Sequence, residues 1–183
     1  MDKLPSDVAI KINKFRREWF KKYCSDFEQV YNTLKPTIKQ ARECLDDENF
    51  KKFIEMYIRI YNRDKTPRLW VFCGPGATGK STLIKYMRQQ IPNIICLSRY
   101  FSTNLSKEDN LLVISEIHNA HIKLIRNYMA FDDMIIKPPY INREILTFKD
   151  RRADILIIVN ELSEITYLTN DINVIHFNRR FWP

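Results

Sequence analysis

All three glycines of this 183-residue chain, Gly74, Gly76 and Gly79, lie in one stretch, Val71-Phe-Cys-Gly-Pro-Gly-Ala-Thr-Gly-Lys-Ser-Thr-Leu83. Glycine alone enters φ > 0 freely and lets backbone approach backbone, so a chain that concentrates its supply here is organised around this loop. Residues Gly74 to Ser81 fit the pattern G-x-x-x-x-G-K-[ST], the P-loop. That spacing has a chemical purpose. Successive backbone N–H groups curl around an anion, and the helix that follows adds its free N–H groups and positive dipole end. Lys80 is then placed to reach the β- and γ-phosphates, and the Ser81 hydroxyl to ligate Mg²⁺. The flanks agree with the motif, because Arg68–Cys73 reads as a short strand and Ser81–Gln90 as a helix. Gly74, Pro75, Gly76, Ala77, Thr78, Gly79, Lys80, Ser81 and Thr82 are therefore the candidate nucleotide-binding set, for ATP with Mg²⁺.

Charge points the same way. A net charge of +8 and a pI near 9.3 suit polyanionic partners, nucleic acid as well as nucleotide. Cys24, Cys44, Cys73 and Cys96 show no paired spacing, and Cys73 and Cys96 fall in predicted buried strands. Reduced thiols in a cytosolic or nuclear setting are expected. No apolar run approaches the roughly 20 residues that span a bilayer, and no signal peptide opens the chain, so no membrane partner is expected.

Residues 1–66 read as a small helical domain and 67–183 as the nucleotide-binding domain. Ser6 or Asp7 caps a helix running to about Leu34, broken by Lys35-Pro36, with a second short helix over Thr37–Leu45. Asp46 or Asp47 caps a third, on which Phe50, Phe53, Ile54, Tyr57, Ile58 and Tyr61 recur at helical spacing. Arg16, Arg17, Lys21 and Lys22 make a basic face on the first helix, read as a solvated surface rather than a nucleic-acid contact. Asn62–Pro67 is a polar linker.

Beyond the P-loop helix, Asn93–Leu97 is a second strand and Ser98–Asn110 a polar connection. Leu111–Ile114 is a buried-strand run that ends in Ser115-Glu116. An aliphatic strand tipped by a carboxylate is a Walker B pattern, and in open α/β sheets ligands sit at the carboxyl ends of the strands. Glu116 is expected to orient and deprotonate the attacking water or to hold the Mg²⁺ shell. Asn119–Phe131 suits a helix, and Asp132–Lys149 a hairpin. Asp154–Val159 is another buried strand, tipped by Asn160, which is placed to hydrogen-bond the γ-phosphate or the water. Asn173–Phe177 is a last strand, followed by Asn178-Arg179-Arg180. His118 and His121 read as helix-surface histidines, and no nuclease signature is visible.

The order of P-loop, acid-tipped strand, Asn-tipped strand and terminal arginine pair resembles the superfamily 3 helicases of small viruses and plasmids. The nearest likeness is the ATPase domain of viral rolling-circle replication initiator (Rep) proteins, over residues 67–183, preceded by helices like their small oligomerisation domain. The resemblance implies an α/β P-loop NTPase fold with a five-stranded parallel sheet, the Asn-bearing strand lying between those of the P-loop and Walker B. It implies a homo-oligomer, a hexameric ring, with ATP sites at subunit interfaces and an arginine finger matching Arg179 or Arg180. It implies single-stranded nucleic acid, DNA before RNA, as partner, with Lys137, Lys149, Arg151 and Arg152 near the channel. It implies work in the host nucleus or cytoplasm. Two departures stand out: Ser115-Glu116 carries one acid where the family usually shows two, and the hairpin lacks the family's glycine-bearing Lys motif. Ser115 would then hold the metal through water. The chain end at Trp182-Pro183 suggests a piece of a longer protein. Two other classes fit the P-loop: a small kinase acting on a metabolite or nucleoside, and an assembly module in which ATP only joins subunits.

Overall fold

The computed structural model describes residues 27–62, 67–97, 109–129, 134–136, 144–146, 153–168 and 172–178. Two helices come first, α1 (Phe27–Cys44) and α2 (Asp47–Asn62). The expected break at Lys35-Pro36 is absent, for α1 runs through Pro36. Lys35 and Pro36 are exposed, whereas Thr37, Gln40, Ala41 and Cys44 are buried. The ring and the backbone bond it cannot make therefore face solvent. A helix-interior proline costs about 3 kcal/mol, and packing of the opposite face offsets it. Asp46 is the cap of α2, its Oδ1 accepting the Asn49 N–H at 2.9 Å. The expected basic first helix lies outside the described residues.

The P-loop strand β1 (Leu69–Cys73) leads to α3 (Lys80–Gln90), β2 (Ile94–Leu97), β3 (Leu111–Ile114) and α4 (Asn119–Met129). Strands β4 (Met134–Ile136) and β5 (Glu144–Leu146) pair antiparallel, Ile135 opposite Ile145, as the expected hairpin. Then come β6 (Asp154–Val159), a 3-10 turn (Leu162–Ile165) and β7 (Ile172–His176). Five strands form one sheet in the order β2-β3-β6-β1-β7, every neighbouring pair parallel. The Asn-tipped strand lies between the acid-tipped strand and the P-loop strand, as expected. Central β1 and β3 are buried throughout, which explains why they read as unbroken apolar runs.

Side-chain alternation divides the core into two layers. On one face Trp70, Phe72, Val113, Leu156 and Ile175 pack with Phe50, Phe53, Met56 and Tyr57 of α2, Ala41 and Cys44 of α1, and Leu83 and Met87 of α3. On the other, Leu69, Val71, Leu112, Ile155 and Ile157 pack with Ile125 of α4 and Ile165. Polar clamps add to the first layer. Tyr57 donates to Gln90 Oε1 at 3.0 Å, the His176 N–H donates to Asn49 Oδ1 at 2.7 Å, and buried Arg59 pairs with Asp154 at 2.9 Å. Cys96 differs from expectation. It lies on strand β2 but is exposed, because β2 is an edge of the sheet and α3 does not cover it fully. Cys44 and Cys73 are buried free thiols. Among the described residues, no helix is long and apolar enough to cross a membrane.

Candidate nucleotide-binding site

The loop begins where three strand ends meet. The Gly74 N–H donates to Val159 O at 3.3 Å, and the Phe177 N–H donates to Cys73 O at 2.8 Å. A Cβ on Gly74 would lie 2.3 Å from the Phe177 carbonyl oxygen, so only glycine fits between β6 and β7. At the far end Gly79, with φ 91° and ψ 5°, turns the chain left-handed into α3. Ala77 is left-handed as well, at φ 59°. A non-glycine residue pays about 1–2 kcal/mol for that conformation, which recurs in backbone anion nests. Nothing lies within 4 Å of a Cβ built on Gly76, so that side of the loop is open to a ligand.

Lys80 turns inward and is 7% exposed. Its Nζ donates to the Gly74 carbonyl, to Pro75 O at 2.7 Å and to Thr78 Oγ1 at 3.4 Å. Buried Thr78 in turn donates to Pro75 O at 2.8 Å. Burial pushes the Lys80 ammonium below its usual 10.5, while neighbouring Cys73 and Glu164 pull it back up. The cation thus rests on loop carbonyls beside an open anion cradle. Ser81 and Thr82 are exposed. Ser81 and Ser115 line one cavity of about 440 Å³ together with Ile84, Ile158 and, on α3, Lys85 and Arg88. Two hard hydroxyl oxygens lining one space suit Mg²⁺. Phosphate cradle and metal donors both fit the groups that the motif implies.

Glu116 and Asn160 sit at the carboxyl ends of β3 and β6, adjacent strands of which β6 pairs with β1, and both are exposed. The His118 imidazole approaches Glu116, Nε2 to Oε2 3.9 Å. Arg179, Arg180, Lys137, Lys149, Arg151 and Arg152 lie outside the described residues.

No family model matches the chain, and no curated protein matches it in sequence. Among solved structures, the A-form apo structure of the NrS-1 C-terminal region (305–718) aligns at a TM-score of 0.58 and 15% identity, over 79% of this chain and 38% of that one. A second apo structure of the same region aligns at 0.57 and 15% identity, over 81% and 41%. The chain therefore spans less than half the length of these structures. A JCV helicase structure aligns at 0.47 and 11% identity, too loosely to bear on the fold. At such identities the shared property is the fold, which here combines a parallel five-stranded sheet, the β2-β3-β6-β1-β7 order and a P-loop after the fourth strand of that order. The fold is that of a P-loop NTPase.

In this P-loop NTPase fold three residues matter that sequence reasoning missed. Glu164 accepts the N–H groups of Asn160 and Glu161 at 3.0 Å each. The Cys73 thiol donates to Asn160 O at 3.7 Å, and burial raises its pKa. His121 is fully buried, against the expected surface position. Its Nδ1 accepts the His118 N–H at 3.0 Å, so the ring closes the first turn of α4. His118 itself is half-buried rather than free on the helix surface. A glutamate or histidine three or four residues past a strand or cap is the signal that was available. Among the described residues, no group of three or more His, Cys, Asp or Glu could hold a metal ion.

Proposed function

We propose that this chain is the ATP-hydrolysing domain of a superfamily 3 type helicase or translocase, of the sort that viral or plasmid replication proteins carry. The observation that carries this reading is the placement of Asn160: its strand lies directly between the P-loop strand and the strand ending in Ser115-Glu116. A kinase has no evident use for an amide there. Lys80 leaves the loop carbonyls to balance the charge of the β- and γ-phosphates. Glu116 orients the attacking water and takes its proton, while Asn160 hydrogen-bonds the γ-phosphate or that water. Ser81, with Ser115 through water, would hold Mg²⁺, which would supply neutralisation of phosphate charge. Arg179 or Arg180 acts in a neighbouring subunit as a finger, an effect on the order of 10³–10⁵ in rate. The assembly is a homo-oligomeric ring, a hexamer, moving on single-stranded nucleic acid, with DNA favoured by the likeness to replication initiators. Lys137, Lys149, Arg151 and Arg152 contact that strand.

Phosphate release measured with and without single-stranded DNA, RNA and small-molecule acceptors tests this. Stimulation by a nucleic acid strand is expected, and Lys80→Ala should lose about two to three orders of magnitude in rate. Mixing Lys80→Ala subunits with Arg179→Ala/Arg180→Ala subunits should restore part of the activity. Transfer to a small acceptor, or activity flat with concentration and no rescue, would refute the ring motor.

A further inference from the structure

Strand pairing ends at Cys73 opposite Val159, so Asn160 is the first residue past β6 and outside the ladder. Side chains hold it instead. Glu164 Oε1 accepts the Asn160 N–H and the Glu161 N–H, each at 3.0 Å. The Glu161 side chain returns a bond to the backbone of Glu164, closing a capping box on the 3-10 turn. From the opposite side the Cys73 thiol reaches Asn160 O at 3.7 Å. Both backbone polar groups of Asn160 are thereby held, one by the turn that follows it and one by the residue that precedes the P-loop. A capping box ordinarily starts a long helix. This one starts a single turn of four residues, Leu162–Ile165, which has little helix to stabilise. Its shared acceptor falls on the residue that β6 presents beside the phosphate cradle.

We propose that Glu164 is a positioning residue of the nucleotide site: its carboxylate locks the backbone at Asn160 and so aims the Asn160 amide at the γ-phosphate and the attacking water. This rests on the role assigned to Asn160 above. An ionised acceptor holding two N–H groups is the stronger kind of hydrogen bond, and it lies where misplacement of an angstrom is most costly to rate. Glu164 also lies near enough to Lys80 for its charge to favour the ammonium, tying the anchor electrostatically to the P-loop.

Steady-state hydrolysis, affinity for a non-hydrolysable ATP analogue, and amide hydrogen exchange at Asn160 and Glu161 test the proposal together. Glu164→Ala should lower kcat about 10- to 100-fold, with analogue affinity within about twofold of wild type. Glu164→Gln, which keeps an oxygen acceptor, should recover most of the rate. In an Asn160→Ala background, Glu164→Ala should cost nothing further, because Glu164 acts on the rate only by aiming the side-chain amide that Asn160→Ala removes. Exchange at the two amides should accelerate in Glu164→Ala and not in Glu164→Gln. Unchanged kcat in Glu164→Ala, losses that add to those of Asn160→Ala, or affinity falling with rate would each overturn the positioning role. If Asn160→Ala hydrolyses ATP like wild type while exchange responds as described, the anchor is real and the catalytic assignment of Asn160 is what fails. Should wild type itself not hydrolyse ATP, the proposed function falls, and exchange alone still decides the anchor.

Discussion

Asp154 opens the strand whose far end carries Asn160, and its replacement by alanine has a magnitude that follows from its surroundings. The residue is 3% exposed and takes four hydrogen bonds. Arg59 donates through Nε at 2.9 Å and Nη2 at 3.2 Å, the Arg68 N–H at 2.8 Å and Trp70 Nε1 at 2.8 Å. Removing one member of a buried ion pair costs about 3–5 kcal/mol. Taking the acceptor from a buried indole N–H costs a further 1–3 kcal/mol, roughly. The two overlap, so about 4–6 kcal/mol is expected, against the roughly 5–15 kcal/mol that holds a domain folded. At about 2–4 °C per kcal/mol for a chain of this size, Tm should fall by roughly 8–24 °C. Urea unfolding followed by tryptophan fluorescence measures the loss, with Trp70 beside the lesion. Pairing Arg59→Met with Asp154→Leu should recover the ion-pair part of it, because apolar isosteres need no partner, while Trp70 and Arg68 still lack an acceptor. A loss below about 1 kcal/mol in Asp154→Ala would refute the reasoning, since a buried carboxylate with four donors would then contribute no more than a surface one.

Other predictions concern the site. Gly74→Ala should unfold at markedly lower temperature, because its Cβ meets the Phe177 carbonyl at 2.3 Å, whereas Gly76→Ala, with open space around it, should melt like wild type and lose only nucleotide affinity. Thermal melts with and without ATP check both. Glu116→Gln should bind ATP with Mg²⁺ and fail to split it, and Asn160→Ala should slow hydrolysis with affinity intact; loss of binding in Glu116→Gln would make the residue a metal anchor instead. Burial depresses the Lys80 pKa below 10.5, and a bound triphosphate, favouring the ammonium, should raise it again. Between the free and bound values binding takes up a proton, so affinity falls as pH rises through the alkaline range below 10.5 and is indifferent to Lys80 at lower pH. Calorimetry in buffers of different ionisation heat should show the uptake, and Lys80→Ala should abolish it.

Much of the fold was legible along the chain because its signals are local. A parallel strand covered on both faces must be apolar at every position, so β1, β3 and β6 stand out as unbroken runs bounded by polar residues. The P-loop was legible for the same kind of reason: its phosphate chemistry depends on backbone geometry within a few residues, and glycine marks that geometry directly. Glu116 and Asn160 could be named as strand-tip residues. That the Asn-tipped strand lies between the P-loop strand and the acid-tipped strand came from a resemblance, and the strand order bears it out.

Other features depend on contacts that residue spacing does not announce. Pro36 reads as a helix breaker until the sheet shows which side of α1 is buried; the proline then faces solvent and the helix continues. His121 looks like a surface residue until the turn before α4 closes on its Nδ1. Cys96 and Cys73 have similar strand contexts in sequence, yet one lies on an edge and the other in the centre. Asp154 with Arg59 joins residues 95 apart, and the Cys73 bond to Asn160 forms only when β1 and β6 pair. Local pattern thus determined which segments are strands and where the P-loop lies. Tertiary packing decided which polar groups are buried together, because burial depends on neighbours that the order of residues does not name.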